Sequence, residues 1–321
     1  MKRILLVATG DVMAYRRHSG QQGVASGAEL LAAAGESTSD VHVEDVMAEP
    51  SWDTSPATML SLARRVRTAL LDDGFDGVVV THGLDTLEET AFLTDLMAGD
   101  AVARGGIVFT GARQCLDEPG GEGPGNLAAA IAAAPRTRGF GALVCFNHEL
   151  HAARWATFTD ATRASAFSSA PYAPLGRVTP SGEVVTSAQE RPARPPYVRG
   201  APESDVALIK TYPGMTPMLL TAAADAGARG IVLEGTGEGN VPVELFTTIG
   251  EVTEWGIPVV VASRARTHPS ALDDPHDASG LATKIGAIGA RGLSPGHARV
   301  ALMVALGAGG VEAVRTWFSA L

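Results

Sequence analysis

Short apolar, β-branched runs alternate along this chain with longer stretches whose apolar residues recur at helical spacing. A run apolar at every position suits a strand buried on both faces of a parallel sheet, whereas an apolar stripe at intervals of three and four suits a helix lying on that sheet. Ile4 to Ala8 reads as the first strand, Glu29 to Ala34 as a short helix and Val41 to Val46 as the next strand. At Ser55-Pro56 the serine is placed to cap a helix and the proline to fill its first turn, and Met59, Leu62, Ala63, Val66 and Leu70 supply the stripe. Val78, Val79 and Val80 form a third strand, followed by a polar corner and a helix beginning near Leu87. A strand from Gly106 to Gly111, a helix from Asn126 to Ala134 and a strand from Phe140 to Phe146 continue the series.

From Glu149 to Val185 the pattern changes to short polar and aromatic stretches, with Pro180, Ser181 and Gly182 marking a hairpin turn between Val178 and Val184. The proline-rich run at 190 to 197 favours an extended connector. Alternation then resumes: strands at Val206 to Thr211, Gly230 to Leu233 and Pro258 to Ser263, with helices around Leu219 to Ala226, Val243 to Val252 and Ser294 to Leu306. The pattern predicts an α/β protein: a larger N-terminal domain on a parallel sheet over 1–189, a linker over 190–203 and a smaller C-terminal α/β domain over 204–321.

The stretch from Asp76 to Thr90 is where chemistry is expected. Strand-to-helix corners of such sheets lie at the carboxyl edge, where ligands bind. Asp85 at this corner, beside unpaired backbone N–H groups, suits an ammonium while the amides suit an anion, although the same aspartate could simply cap its helix. Composition narrows the ligand. A formal charge of -10 argues against nucleic acid and anionic membrane as partners and favours a small molecule. Cys115 and Cys145 are too few for a disulfide framework, no apolar run is long enough to span a bilayer, and the start of the chain fits a strand better than a signal peptide, so a cytoplasmic protein is expected. No motif calls for a cofactor. His268, His276, Asp273, Asp274 and Asp277 form a loose acidic and imidazole cluster, but Pro269 and Pro275 break any helix that would present them together, so a solvated loop and no metal site is expected.

With those residues in view, the chain resembles the bacterial-type L-asparaginase and glutaminase-asparaginase family. The matching segments are ValAlaThrGly at 7–10, ThrHisGly-x-AspThrLeuGluGluThr at 81–90, ThrGlyAla at 110–112, GlyPro-x-AsnLeu at 123–127, ProLeuGly at 174–176 and GluGlyAsnValPro at 238–242. The resemblance implies two α/β domains and a homodimer or homotetramer with sites formed between subunits. It also implies a threonine nucleophile at the last position of Thr9-Gly10-Asp11-Val12, a second catalytic threonine at Leu84, a supporting lysine near Phe158 and a lid tyrosine near Gln21; none of these four positions carries the family's residue. A valine methyl cannot become an alkoxide. What the resemblance keeps is binding: Asp85 for an α-ammonium, Ser51 for an α-carboxylate, and Asn240 supplied by a neighbouring subunit. Gly10, Val12, Trp52 and Leu84 would complete the lining.

Three residues are candidates for new chemistry. Asp11 replaces a family glycine and would be either a general base or a carboxylate bonding its own backbone turn. His82 is expected in a structural hydrogen bond to backbone, and Tyr15 either replaces the lid residue or lies on the surface. The expected function is recognition of an aspartate- or asparagine-like amino acid or derivative with altered chemistry. An amidohydrolase with another water-activating group and a non-catalytic ligand-binding pseudoenzyme stand as alternatives.

Overall fold

The computed structural model describes residues 2–17, 23–35, 41–46, 50–187, 194–265 and 284–321. Gln21, the start of the proline-rich connector and the cluster around His268 and His276 lie outside them. The chain divides into two compact units, Met1–Pro192 and Ala193–Leu321.

The first unit carries strands β1 (Ile4–Ala8), β2 (Tyr15–Arg16), β3 (Gly23–Val24), β4 (Val41–Asp45), β5 (Gly77–Thr81), β6 (Gly106–Thr110), β7 (Ala142–Phe146), β8 (Glu149–Ala152), β9 (Thr157–Phe158), β10 (Phe167–Ser168), β11 (Gly176–Val178) and β12 (Val184–Thr186). Its helices are α1 (Gly27–Ala33), α2 (Pro56–Leu71), α3 (Leu87–Ala98) and α4 (Gly123–Ala133). Eight strands form one sheet in the order β12-β11-β8-β7-β6-β5-β1-β4. Alternation along β1 explains the layering. Leu5 and Val7 join Leu62, Val66 and Leu70 of α2 and Leu87 of α3 on one face, while Ile4 and Leu6 join Leu30 and Leu31 of α1 and Leu127 of α4 on the other. The helix starts follow local chemistry: Ser55 accepts from the Thr58 N–H ahead of Pro56, and Ser26 and Glu29 form a reciprocal capping box.

The sheet is parallel from β4 through β7; beyond it β11 and β12 form the antiparallel hairpin expected around Pro180 to Gly182, and β8 also runs antiparallel to β7. The reason for the β8 reversal is the turn after β7. Asn147 and His148 both take left-handed backbone, φ 49 and φ 64, a two-residue hairpin that returns the chain beside its own strand. Asn-His is a weak signal for such a turn beside Asn-Gly, so the reversal was not visible in the pattern.

His151 on β8 is 2% exposed, with Nδ1 2.7 Å from the Ser169 hydroxyl. Burial pushes its pKa down to about 4. Glu149 stands 3.6 Å from Nε2, but its half-exposed carboxylate is too well solvated to hold the ring protonated. The unfolded chain therefore takes up a proton near pH 6.5 that the folded chain refuses until about pH 4. The stability from this group is complete above pH 6.5 and is lost on descending to pH 4, about 3 kcal/mol in all. Urea unfolding at pH 7 and pH 4.5 should show a drop of about 2 kcal/mol larger in the parent than in His151→Gln; equal drops would contradict it.

The second unit is a parallel four-stranded sheet in chain order, β13 (Val206–Lys210), β14 (Gly230–Gly235), β15 (Val259–Ser263) and β16 (Ile288–Gly289). Helices α5 (Met218–Asp225) and α6 (Phe246–Glu254) contribute Leu220, Ile249 and Val252 to the core under Ile209, Leu233 and Val261. Helix α7 (Pro295–Leu306), opened by Ser294, packs against β13, β14 and β15, and α8 (Val311–Ser319), which the sequence pattern did not single out, packs on α7. Among the described residues no helix is long and apolar enough to cross a membrane.

Candidate functional site

Strands β1 and β5 are neighbours, with Ala8 opposite Thr81, so the corners that follow them emerge side by side. The two threonines at the strand ends lock this register. Thr9 Oγ1 donates to the Thr81 carbonyl at 2.7 Å, and the Thr9 N–H donates to Thr81 Oγ1 at 3.3 Å. His82 N–H donates to the Thr110 carbonyl at 2.8 Å and ties the second corner to β6.

Asp11 lies at the centre of the first corner. Its backbone stands at φ 67, ψ -170, a conformation that favours glycine and costs a residue with a side chain about 1–3 kcal/mol. The side chain offsets that strain. Oδ1 accepts from the Val12 N–H at 2.5 Å and Oδ2 from the Ser51 N–H at 2.6 Å, charge-assisted bonds that satisfy a carboxylate only 1% exposed. Of the two roles open to Asp11 in the sequence, the geometry places it in a bond to its own turn and also in a bridge to Ser51, which the sequence did not suggest.

Ser51 opens a single 3-10 turn, Ser51–Asp53, and every polar group it has is engaged. Its N–H goes to Asp11, its Oγ donates to Asp85 Oδ2 at 2.7 Å, and its carbonyl accepts from Thr86 Oγ1 at 2.8 Å. Asp85 itself is exposed, and no lysine or arginine among the described residues lies within ion-pairing distance of it. It does not cap α3: the N-cap is Thr86, without a side-chain cap bond. The helix-cap reading of Asp85 is therefore replaced by a carboxylate held by Ser51 and open to solvent.

Gly83 is the residue that sequence reasoning missed. A Cβ there would stand 2.0 Å from Asp11 Oδ2 and 2.2 Å from Ser51 Oγ, so only a hydrogen leaves room for both. Three segments far apart in sequence create that requirement, and no local signal announces it.

His82 is 1% exposed, with Nδ1 2.8 Å from the Gly83 carbonyl. Burial lowers its pKa, opposed by that carbonyl and by the charges of Asp11 and Asp85. Assigned as the Nδ1–H tautomer it donates to Gly83, and Nε2 has no hydrogen-bond partner among the described residues. Tyr15, half-buried on β2, has its phenol pKa raised by burial and then by Asp11, so it is a donor at neutral pH; the Arg17 guanidinium lies 5.9 Å from its ring. Gly10 turns the corner at φ 82. Val12 is half-buried, Leu84 is buried in the α2 and α3 core, and Trp52 is 66% exposed. Phe158 is half-buried against Phe167, and its N–H donates to the Glu88 carboxylate.

The structure thus brings Gly10, Asp11, Val12, Ser51, His82 and Asp85 to the two corners. Asn240 lies in the C-terminal unit, exposed in a turn closed by paired backbone bonds with Thr236. Threonines are present nearby: Thr9 and Thr81 bond each other, and Thr90 is buried on α3 with no hydrogen bond to its hydroxyl among the described residues. A separate cavity of about 380 Å³ over the β7–β8 and β11–β12 turns, lined by His148, Glu149 and Arg177 among others, holds none of the expected site residues. Among the described residues no group of three His, Cys, Asp or Glu side chains is arranged to hold a metal ion.

Residues 3–192 match the family described as Asparaginase, N-terminal, and residues 205–318 the Glutaminase/Asparaginase C-terminal domain. The L-asparaginase of Bacillus licheniformis is 30% identical over 271 residues, 82% of each chain. A probable L-asparaginase of Deinococcus radiodurans is 36% identical over 266 residues, 81% of this chain and 79% of the relative. Among solved structures, a probable cytoplasmic L-asparaginase of Campylobacter jejuni superposes with a TM-score of 0.86 at 26% identity over 100% of both chains. The thermostable L-asparaginase of Thermococcus kodakarensis gives 0.84 at 26%, covering 98% of this chain and 96% of that one.

Proposed function

Because this chain belongs to the asparaginase family, we propose that its paired corners bind an amino acid or amino-acid derivative through Asp85, and that the family's threonine acyl transfer has been lost from them. The observation that carries the binding half is the posture of Asp85: exposed, aimed by the Ser51 hydroxyl at 2.7 Å, and without a cation of its own among the described residues. An ammonium is the natural complement of such a carboxylate.

The loss of acyl transfer is supported by what stands at the corners. Val12 follows Asp11 where the family resemblance calls for the nucleophile, and Leu84 precedes Asp85 where it calls for the second threonine. Thr9, the nearest hydroxyl by sequence, donates its proton to the Thr81 carbonyl, and among the described residues no base is bonded to it. Asp11 is a poor substitute base, since both of its oxygens already accept backbone N–H groups. The reading is therefore an amino-group-recognising site with altered or absent hydrolytic chemistry.

Calorimetry tests the binding half. With L-asparagine and 3-aminopropanamide as probes, Asp85→Asn should weaken whichever binds by roughly 10- to 100-fold, the cost of about 1.5–3 kcal/mol for a hydrogen bond to a charged group. The exposure of Asp85 sets this figure below that for a desolvated ion pair. Unchanged affinity in a variant of parental stability would show that Asp85 is not the ligand's partner.

A further inference from the structure

We propose that Asp11 is a built-in carboxylate filling the anion-accepting half of this site, so that the site selects amines and amino-amides that lack a carboxylate beside the amino group. The inference rests on the reading of Asp85 as an amino-binding group.

Two backbone N–H groups, from Val12 and Ser51, converge on the Asp11 carboxylate, one on each oxygen. Convergent amides of this kind form an anion site. Here the anion is covalently part of the chain, 1% exposed and bonded at 2.5 and 2.6 Å. Asp11 holds that post from a glycine-type backbone conformation, and Gly83 supplies the space its carboxylate needs. A ligand carboxylate arriving at Ser51 would find the N–H occupied and the hydroxyl donated to Asp85.

Charge strengthens the exclusion. Ser51 bridges two carboxylates, its N–H to Asp11 and its Oγ to Asp85, and no lysine or arginine among the described residues pairs with either. The corner thus favours an ammonium twice over and repels an anion. A zwitterionic amino acid brings one group that fits and one that does not. The same molecule with hydrogen in place of its α-carboxylate brings only the group that fits.

L-asparagine and 3-aminopropanamide differ in that one substitution, and calorimetry on the full chain compares them directly. The parent should bind 3-aminopropanamide at least about tenfold more tightly than L-asparagine. Asp11→Gly keeps the backbone conformation accessible and frees both N–H groups, so the preference should fall at least tenfold or reverse. Asp11→Asn, which keeps the volume and removes the charge, should narrow the preference without reversing it, and it serves if the glycine variant fails to fold. L-asparagine binding to the parent as tightly as 3-aminopropanamide, or a preference unmoved in both variants, would overturn the inference and leave the Asp85 reading standing. Binding of neither probe to parent or variants would overturn both.

Discussion

Gly83→Ala should destabilise the N-terminal unit by about 1–3 kcal/mol and weaken ligand binding at the corners, although it adds one methyl group. That methyl would stand 2.0 Å from a buried carboxylate oxygen and 2.2 Å from a buried hydroxyl. Neither neighbour is the far end of a flexible chain: the Asp11 carboxylate is fixed by two N–H groups and the Ser51 hydroxyl by Asp85. Overpacking alone costs about 1–3 kcal/mol. If Asp11 swings away instead, the Ser51 N–H is left buried without a partner, at about 1–3 kcal/mol, and the carboxylate loses a charge-assisted bond. Gly125→Ala is the matched control, because a Cβ there meets nothing within 4 Å and α4 gains a better helix former. Chemical denaturation should separate the two variants by at least about 1 kcal/mol; stabilities within about 0.5 kcal/mol of each other, on the order of ordinary surface changes, would contradict the account.

What was legible in the sequence was whatever depends on neighbours in the chain. Ser55-Pro56, the valine run of β5 and Ser294-Pro295 report local rules, and the corresponding elements stand where those rules put them. The corner at Asp85 could be located for the same reason, since a buried strand must end in a turn before its helix. The partners of that corner could not. Asp11 and Ser51 are 40 residues apart, and Ser51 and Asp85 are 34 apart. The bridge between them exists only because β1 and β5 lie side by side. The pairing of β8 beside β7 was hidden for a different reason: its reversal depends on two left-handed residues, Asn147 and His148, whose side chains do not demand that conformation, whereas the β11–β12 hairpin was marked by Pro180, Ser181 and Gly182.

The central claim is that these corners bind without acyl transfer by threonine, and its physical basis is that, among the described residues, no threonine hydroxyl at the corners is bonded to a base. Val12 offers no oxygen, and Leu84 is packed in the core with Leu87. The Thr9 hydroxyl is spent on the Thr81 carbonyl, while Thr81 Oγ1 accepts the Thr9 N–H. Removal of a nucleophile or of its base leaves only oriented binding and electrostatic stabilisation, and commonly lowers turnover by about four to six orders of magnitude. A single Val12→Thr change should not restore it, because a hydroxyl without a base remains a weak nucleophile. The decisive measurement is ammonia release from L-asparagine by this protein and by the Bacillus licheniformis L-asparaginase, assayed side by side at equal concentration. Release by this chain at least about 10⁴-fold slower is the expected result; release within about tenfold of the relative would contradict the account.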